Sequence, residues 1–445
     1  VGHWKTIEFM KTTKANTGLL SRRQFVATSG AAALGAVVAA PLIRPSATWA
    51  ANSDTLKVGL VGCGGRGSGA ALNALMADEN VVLTALGDAF KDRIDGCLKN
   101  LGKNAKVGAR VRVQPDHCFV GLDAYRKVID SGVDVVLLAS PPGFRPEHLK
   151  AAVAAGKHIF TEKPMATDAP GVRAVQAAAE EARRRRLSLV SGFCWRYNLA
   201  ERAGFQQVHD GAVGEVRTVY STYNTGTLWS RPRQPGWTDL EYQVRNWYYY
   251  TWLSGDHLVE QAVHSIDKMI WAMKDEPPAR ATAHGGRQVR VEPDFGHIYD
   301  HFAVVYEWAS GAKGFLFCRQ QDNCSNDNSD TILGARGVAR VLGFRGPPEI
   351  KGEKNWRYEG PRPDMYQVEH NELFASIRAG RPMNDGTWMT NTTLMAIMGR
   401  MAAYTGQTIT WEQALNSKEN LAPALDWNGK LPTPPVAMPG KTPFV

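Results

Sequence analysis

The chain has little of what would make it a disulfide scaffold, a zinc protein or a membrane protein. Its 445 residues hold six cysteines (Cys63, Cys97, Cys118, Cys194, Cys318 and Cys324), with no C-x-x-C pair and no zinc-type spacing. Disulfides and structural metal are therefore excluded as what organises the fold. Cys318 and Cys324 would pair only if the protein is exported. Long apolar runs are missing too. The best candidate, Ala27 to Ile43, is interrupted by Ser29, Gly30 and Gly35, too short and too weakly hydrophobic for stable membrane insertion. Acidic residues are in deficit, giving a net charge of +9. However, Lys5, Lys11, Lys14, Arg22, Arg23 and Arg44 stand against Glu8 alone in the first fifty residues. With more than half of the excess there, the remainder is not basic enough to point to nucleic acid. There is no internal repeat. At this length, with 44% hydrophobic and 21% charged residues, the expectation is a soluble protein of two globular domains.

What is present centres on Leu56 to Gly67 (LKVGLVGCGGRG), an apolar strand that breaks into glycines at Gly62, Gly64 and Gly67 before a helix predicted over 68–76. Strand, G-x-G-x-x-G and helix together are the dinucleotide-binding arrangement. Gly62 permits the tight turn, Gly64 lets backbone approach a pyrophosphate, and Gly67 lets helix and strand pack. Gly65 and Arg66 complete the loop. The alternative for these glycines is a flexible loop. Asp88 follows a second predicted strand, 81–86, about twenty residues beyond the glycines, where a carboxylate accepts hydrogen bonds from an adenosine ribose and favours NAD over NADP. The same carboxylate would serve equally as N-cap of a helix over 89–101. Arg66 is the complication, as an arginine in this loop would suit a 2′-phosphate and leaves NADP possible.

Strands and helices alternate as far as about Gly192. The strand 133–139 runs into Ser140-Pro141, at the sheet edge where cofactors bind. The strand 158–161 runs into Glu162-Lys163-Pro164. Pro164 biases Lys163 toward extended backbone, presenting an ammonium able to stabilise alkoxide charge.

With Gly62 to Gly67, the run Ala154-Ala155-Gly156-Lys157-His158 leading into Glu162-Lys163-Pro164, and Val263-His264-Ser265-Ile266-Asp267 further on, the chain resembles the Gfo/Idh/MocA oxidoreductases from Leu56 to about Asn420. The resemblance implies a Rossmann domain over 54–192, a doubly wound parallel sheet. It also implies an α+β domain over 193–425 with a large, mostly antiparallel open sheet, one face of which packs on another subunit in a homodimer or homotetramer. It further implies that Glu162 and Lys163 lie by the nicotinamide, that Lys163 contacts the reacting hydroxyl, and that His264 is the acid/base. The family commonly has aspartate four residues before this histidine; here Glu260 stands there, predicted on the same helical face and placed to orient the ring. His257, Glu260 and His264 would alternatively bind a metal, but the H-E-x-x-H order is absent, and no metal is expected.

The second domain offers predicted strands over 216–223, 279–288, 300–308 and 313–320. Phe302, Val304, Tyr306 and Trp308 form an apolar face for a subunit or for a helix layer. The stretch 225–250, with Trp229, Trp237, Trp247, Tyr248, Tyr249 and Tyr250, suits either sugar faces or loop packing. Arg196, Tyr197, Tyr223 and Arg319 are candidates to grip a carbohydrate. Residues 426–445 read as a proline-rich tail able to wrap a neighbouring subunit.

The beginning of the chain looks like an address. Ser21-Arg22-Arg23-Gln24-Phe25-Val26, the alanine-rich stretch and the small residues near Ala50 resemble a twin-arginine signal over 1–51. Such a signal implies a periplasmic protein exported folded, with its cofactor tightly held. The expected activity is NAD(P)-dependent oxidation of a sugar, sugar derivative or polyol. Its rivals are an NAD-dependent glycoside hydrolase of the α-N-acetylgalactosaminidase kind and a non-catalytic dinucleotide- or sugar-binding protein.

Overall fold

The apolar run Val58–Val61 must be covered on both faces, and β1 (Leu56–Val61) meets that demand inside a parallel sheet. The computed structural model describes residues 54–445, so the twin-arginine pattern lies outside the described residues. Around β1 are β2 (Val81–Asp88), β3 (Cys118–Val120), β4 (Val135–Leu138), β5 (His158–Thr161) and β6 (Leu189–Ser191), in the order β3-β2-β1-β4-β5-β6 with every pairing parallel. Strand order reverses between β1 and β4, so a crevice opens beyond their carboxyl ends.

The glycine turn follows from close packing. Gly62 has φ +93° and donates its N–H to Gly87 O at 2.8 Å. At Gly67 a Cβ would lie 1.8 Å from Gly62 O. The helix spans Gly65–Ala77, starting three residues earlier than expected because the third glycine belongs to its first turn, and it buries the small residues Ala70, Ala71 and Ala74.

Among the described residues the second sheet has nine strands. Besides β7 (Val216–Thr225), β8 (Arg280–Gly286), β9 (His301–Glu307) and β10 (Lys313–Gln320), it contains β11 (Asp330–Gly334), β12 (Gly337–Val341), β13 (Glu349–Gly352), β14 (Trp356–Arg357) and β15 (Ile409–Thr410). The order is β14-β13-β12-β11-β7-β10-β9-β8-β15, antiparallel except where β7 pairs with β10. The strands beyond β10 are five residues or fewer and carry charges such as Arg340 and Lys351, which hide their alternation. Phe302, Val304 and Tyr306 are buried under a helix layer of this same chain, where Tyr306 Oη donates to Met395 O in the helix Gly386–Thr405 at 3.1 Å. Tyr220, Phe317 and Leu333 of β7, β10 and β11 are exposed.

Two later segments return to earlier ones. The helix Met365–Arg378 packs on Gly65–Ala77, placing Leu373 and Phe374 in the first sheet's core, with Asn73 and Gln367 exchanging hydrogen bonds at 3.0 Å. The tail expected to wrap a neighbouring subunit instead packs on its own chain. Trp427 and Leu431 join the cluster of Phe90, Tyr242 and Val244, Tyr299 Oη donates to Ala437 O, and Val445 O accepts from Ser417 and Lys418. Apolar side chains spaced between its prolines find cover on the nearest free surface.

Candidate active site

The crevice has two lobes that share Arg66, Ala139, Ser140, Trp229 and Trp247. The first, about 360 Å³, runs along Gly62, Gly64, Gly65 and Gly67 to Asp88, Ala89 and Phe90, with Pro141 and Ser140 on the β4 side. A Cβ at Gly64 or Gly65 would meet nothing within 4 Å, so the backbone at the start of the helix stands open to a ligand, as a pyrophosphate requires. Asp88 is the last residue of β2, and the N-cap of the helix Lys91–Gly102 is Phe90, which corrects the N-cap reading. Its Oδ2 accepts from Cys63 N at 2.7 Å and its Oδ1 from Phe90 N at 3.0 Å. The carboxylate thus ties the glycine turn to β2 while lining the lobe. Burial raises its pKa, and the backbone N–H groups of Cys63 and Phe90 oppose that rise.

Arg66 does not face Asp88. Its Nε donates to Glu162 Oε1 at 2.6 Å and its guanidinium lies 4.7 Å over the Tyr366 ring, which corrects its assignment to a 2′-phosphate. A buried acid, Glu369, approaches Arg66 Nη2 at 3.9 Å, and neither of its oxygens is hydrogen-bonded among the described residues; burial and Glu162 push its pKa well up. Ser140 Oγ bonds His148 Nδ1 at 3.0 Å, and buried Arg145 donates to Ser140 O and to Pro164 O, bracing both loops that flank Lys163.

The second lobe, about 340 Å³, brings Lys163 and His264 together. The Lys163–Pro164 bond is cis. Lys163 Nζ lies 2.7 Å from Glu260 Oε1 and also donates to Glu260 O. Glu260 Oε2 accepts from Gln261 Nε2 at 2.8 Å, and Gln261 Oε1 accepts from Tyr223 Oη at 2.7 Å. The expected single helix is in fact two, His257–Glu260 and Val263–Ala272, broken at Gln261–Ala262. The break corrects the shared-face reading, and Glu260 orients the lysine rather than the histidine. His264 Nδ1 is buried with no hydrogen-bond partner among the described residues. Burial, then Lys163 and Lys268, hold its pKa well below the ordinary histidine value, so the ring is neutral at neutral pH.

Of the other candidates, only Tyr223 lines the lobe. Arg196 is buried between Trp271 and Trp388 and paired with Asp267 and Asp275, and Tyr197 Oη donates to Asp385 Oδ2 at 2.7 Å, so both are structural. Arg319 donates to Ser325 O away from the cavity. His257 is fully buried against Asp256, Tyr299 O and Cys318, and among the described residues no group of three ligating side chains could hold a metal. Cys318 and Cys324 are free. The aromatic stretch divides: Trp229 and Trp247 line both lobes, while Tyr249 and Tyr250 are core. Sequence reasoning missed Lys268, whose Nζ pairs with Asp330 Oδ2 at 2.6 Å and lies 4.8 Å over Trp195. Its place one helical turn after His264 was the available signal. Gln261, Trp195 and Tyr366 carried none.

Residues 56–190 match the oxidoreductase family with an NAD-binding Rossmann fold, and residues 205–340 match the GFO/IDH/MocA C-terminal domain. The chain belongs to the Gfo/Idh/MocA family. Among curated relatives, inositol 2-dehydrogenase of Azotobacter vinelandii is 22% identical over 75% of this chain and 89% of its own. Among solved structures, aldose-aldose oxidoreductase from Caulobacter crescentus, complexed with glycerol, superposes with TM-score 0.63 at 20% identity, covering 80% of this chain and 99% of that one. Levoglucosan dehydrogenase, in complex with NADH and levoglucosan, gives TM-score 0.63 at 18% identity over 80% and 99%. The first domain of this Gfo/Idh/MocA protein is therefore an NAD-binding Rossmann domain, and the open glycine backbone with Asp88 fits that cofactor.

Proposed function

We propose that the protein oxidises a CH–OH group of a sugar, sugar derivative or polyol in the second lobe, against NAD held in the first. The observation that carries this reading is that Lys163 and His264, each with unused hydrogen-bonding capacity, line one cavity continuous with the dinucleotide cleft. The relatives act on inositol and on sugars by their names, which supports the substrate class. A bound nicotinamide dinucleotide supplies the hydride acceptor.

The chain's own groups handle the proton and the developing charge. An ammonium has three donors; Lys163 spends two on the carboxylate and carbonyl of Glu260, leaving one for the reacting oxygen. That contact strengthens as alkoxide character develops, so it lowers the barrier. Neutral His264 accepts the hydroxyl proton, while Lys163 stays oriented by Glu260. Arg66, Glu162 and Tyr366 also line the second lobe, with Arg66 shared between the two.

The cleft is roofed by Trp229, Arg231, Val244 and Arg245 from the second domain, which supports a cofactor held through turnover and re-oxidised by a second carbonyl compound. The same roof favours, as a second reading, the glycoside hydrolase in which hydride is returned to the same sugar. Export through the twin-arginine pathway to the periplasm is proposed from Arg22 and Arg23. A homo-oligomer is proposed from the exposed sheet face bearing Tyr220, Phe317 and Leu333.

The test is protein purified without added nucleotide, denatured and analysed by mass spectrometry, then offered a sugar and polyol panel while absorbance near 340 nm is followed. Released NAD and a rise with one class of polyol are expected. Protein that binds no nucleotide would sink the reading. Free sugar released from a glycoside with no net absorbance change would select the hydrolase.

A further inference from the structure

The residue that carries the inference is Arg231. It lies on the second domain's segment 228–247, yet it lines the dinucleotide lobe together with Gly64, Gly65 and Arg93. Its backbone is fixed: Arg231 N donates to Asn246 Oδ1 at 2.8 Å, and Asn246 Nδ2 donates to Asp294 O at 2.7 Å. Its guanidinium, resting 5.3 Å over Trp229, forms no ion pair or side-chain hydrogen bond among the described residues, and Nε is buried without a partner. Arg93 and Arg245 are like-charged neighbours, and the acid nearby, Asp92, is already bonded by Arg245 at 3.1 Å. A guanidinium with five donors on an anchored backbone, beside other cations and lining the same cavity as open glycine backbone, is matched by a phosphate group.

We propose that Arg231 is a phosphate ligand of the dinucleotide, supplied by the second domain. This rests on the reading of the first lobe as the NAD site. The segment carrying it is fastened to the first domain by Arg245, which bonds Asp92 and lies 3.7 Å over the Phe90 ring; Trp427 of the C-terminal tail packs edge-on against the same ring. The cofactor is thus gripped by groups from both domains. The phosphate is either the bridging pyrophosphate, common to NAD and NADP, or the 2′-phosphate of NADP.

The test is calorimetric titration of nucleotide-stripped full-length protein with NAD⁺, NADP⁺ and ADP-ribose, comparing wild type with Arg231→Gln and Arg231→Lys. Unfolding temperatures serve as the folding control. Loss of one charge-assisted contact predicts binding weakened by about tenfold or more in Arg231→Gln, with Arg231→Lys intermediate because it keeps charge but not the fork. Equal loss for all three ligands assigns the pyrophosphate; loss confined to NADP⁺ assigns the 2′-phosphate. Unchanged affinity for every ligand in Arg231→Gln would overturn the proposal while leaving the NAD site standing. Wild-type protein that binds none of the three would overturn the NAD site itself.

Discussion

The two lobes of the crevice are built in opposite ways. The dinucleotide lobe centres on consecutive residues, strand β1, the turn Gly62–Gly67 and one helix, whose open backbone is its main chemistry, with side chains such as Asp88 and Arg231 added from elsewhere. The substrate lobe is assembled from Lys163 at the end of β5 and from Glu260 and His264 on two short helices almost a hundred residues later. A backbone site follows from local conformation. A side-chain site depends on which partner each group finds, and Glu260 finds Lys163 rather than His264.

The largest effect expected is in the substrate lobe. Lys163→Ala should lower kcat by about 10²–10³, the scale of one lost alkoxide donor, while nucleotide affinity measured by titration stays within twofold or so. Affinity that falls together with kcat would show that the lobes are not separable. His264→Gln should cost about 10²-fold or more in kcat as the proton acceptor is lost. Wild-type oxidation should stay level as pH falls through the ordinary histidine range, because protonated His264 appears only well below it. The paired change Lys268→Met/Asp330→Asn removes one cation without stranding its buried partner, and it should move that acid limb to higher pH. A limb that does not move would remove Lys268 from the electrostatics of the site.

In the dinucleotide lobe the glycines should separate folding from binding. Gly67→Ala drives a Cβ into Gly62 O and should destabilise by about 1–3 kcal/mol or more, as overpacking does, read as a lower unfolding temperature. Gly64→Ala meets no protein atom, so it should fold normally and weaken nucleotide binding. Equal unfolding temperatures for the two variants would contradict the turn geometry.

The smallest effect lies beneath the substrate lobe, at Glu201. It is buried, with Oε2 unbonded among the described residues, and burial pushes its pKa up to about 8. The folded state keeps this proton where the unfolded state loses it, so stability falls as pH rises from the ordinary glutamate range toward about 8. Glu201→Gln should raise the unfolding temperature by a few degrees above pH 8 and leave it unchanged near pH 4.5. Equal gains at both pH values would mean that packing, not the charge, is responsible.

Much of the first domain was legible because its strands are uninterrupted apolar runs and its turn is marked by glycines; β5 falls on the expected residues. Lys163 was legible through Pro164 and its strand. Arg196 and Tyr197 were misread because an arginine and a tyrosine after the last parallel strand look equally suited to a sugar and to a buried ion pair; Asp267, Asp275 and Asp385, distant in sequence, decide the matter. The strands from β11 onward are too short for their alternation to register.

By itself the sequence determined the two-domain order, the dinucleotide turn and the residue types available for proton transfer, because strand periodicity and glycine conformation are local properties. Only the tertiary structure decided that Glu260 serves Lys163, that His264 is left neutral with no hydrogen-bond partner for Nδ1 among the described residues, and that the aromatic segment sends Trp229 and Trp247 into the cleft while the C-terminal tail packs on Phe90. Each of those outcomes is a competition among side chains far apart in the chain, settled by burial and by which donor reaches which acceptor first in space.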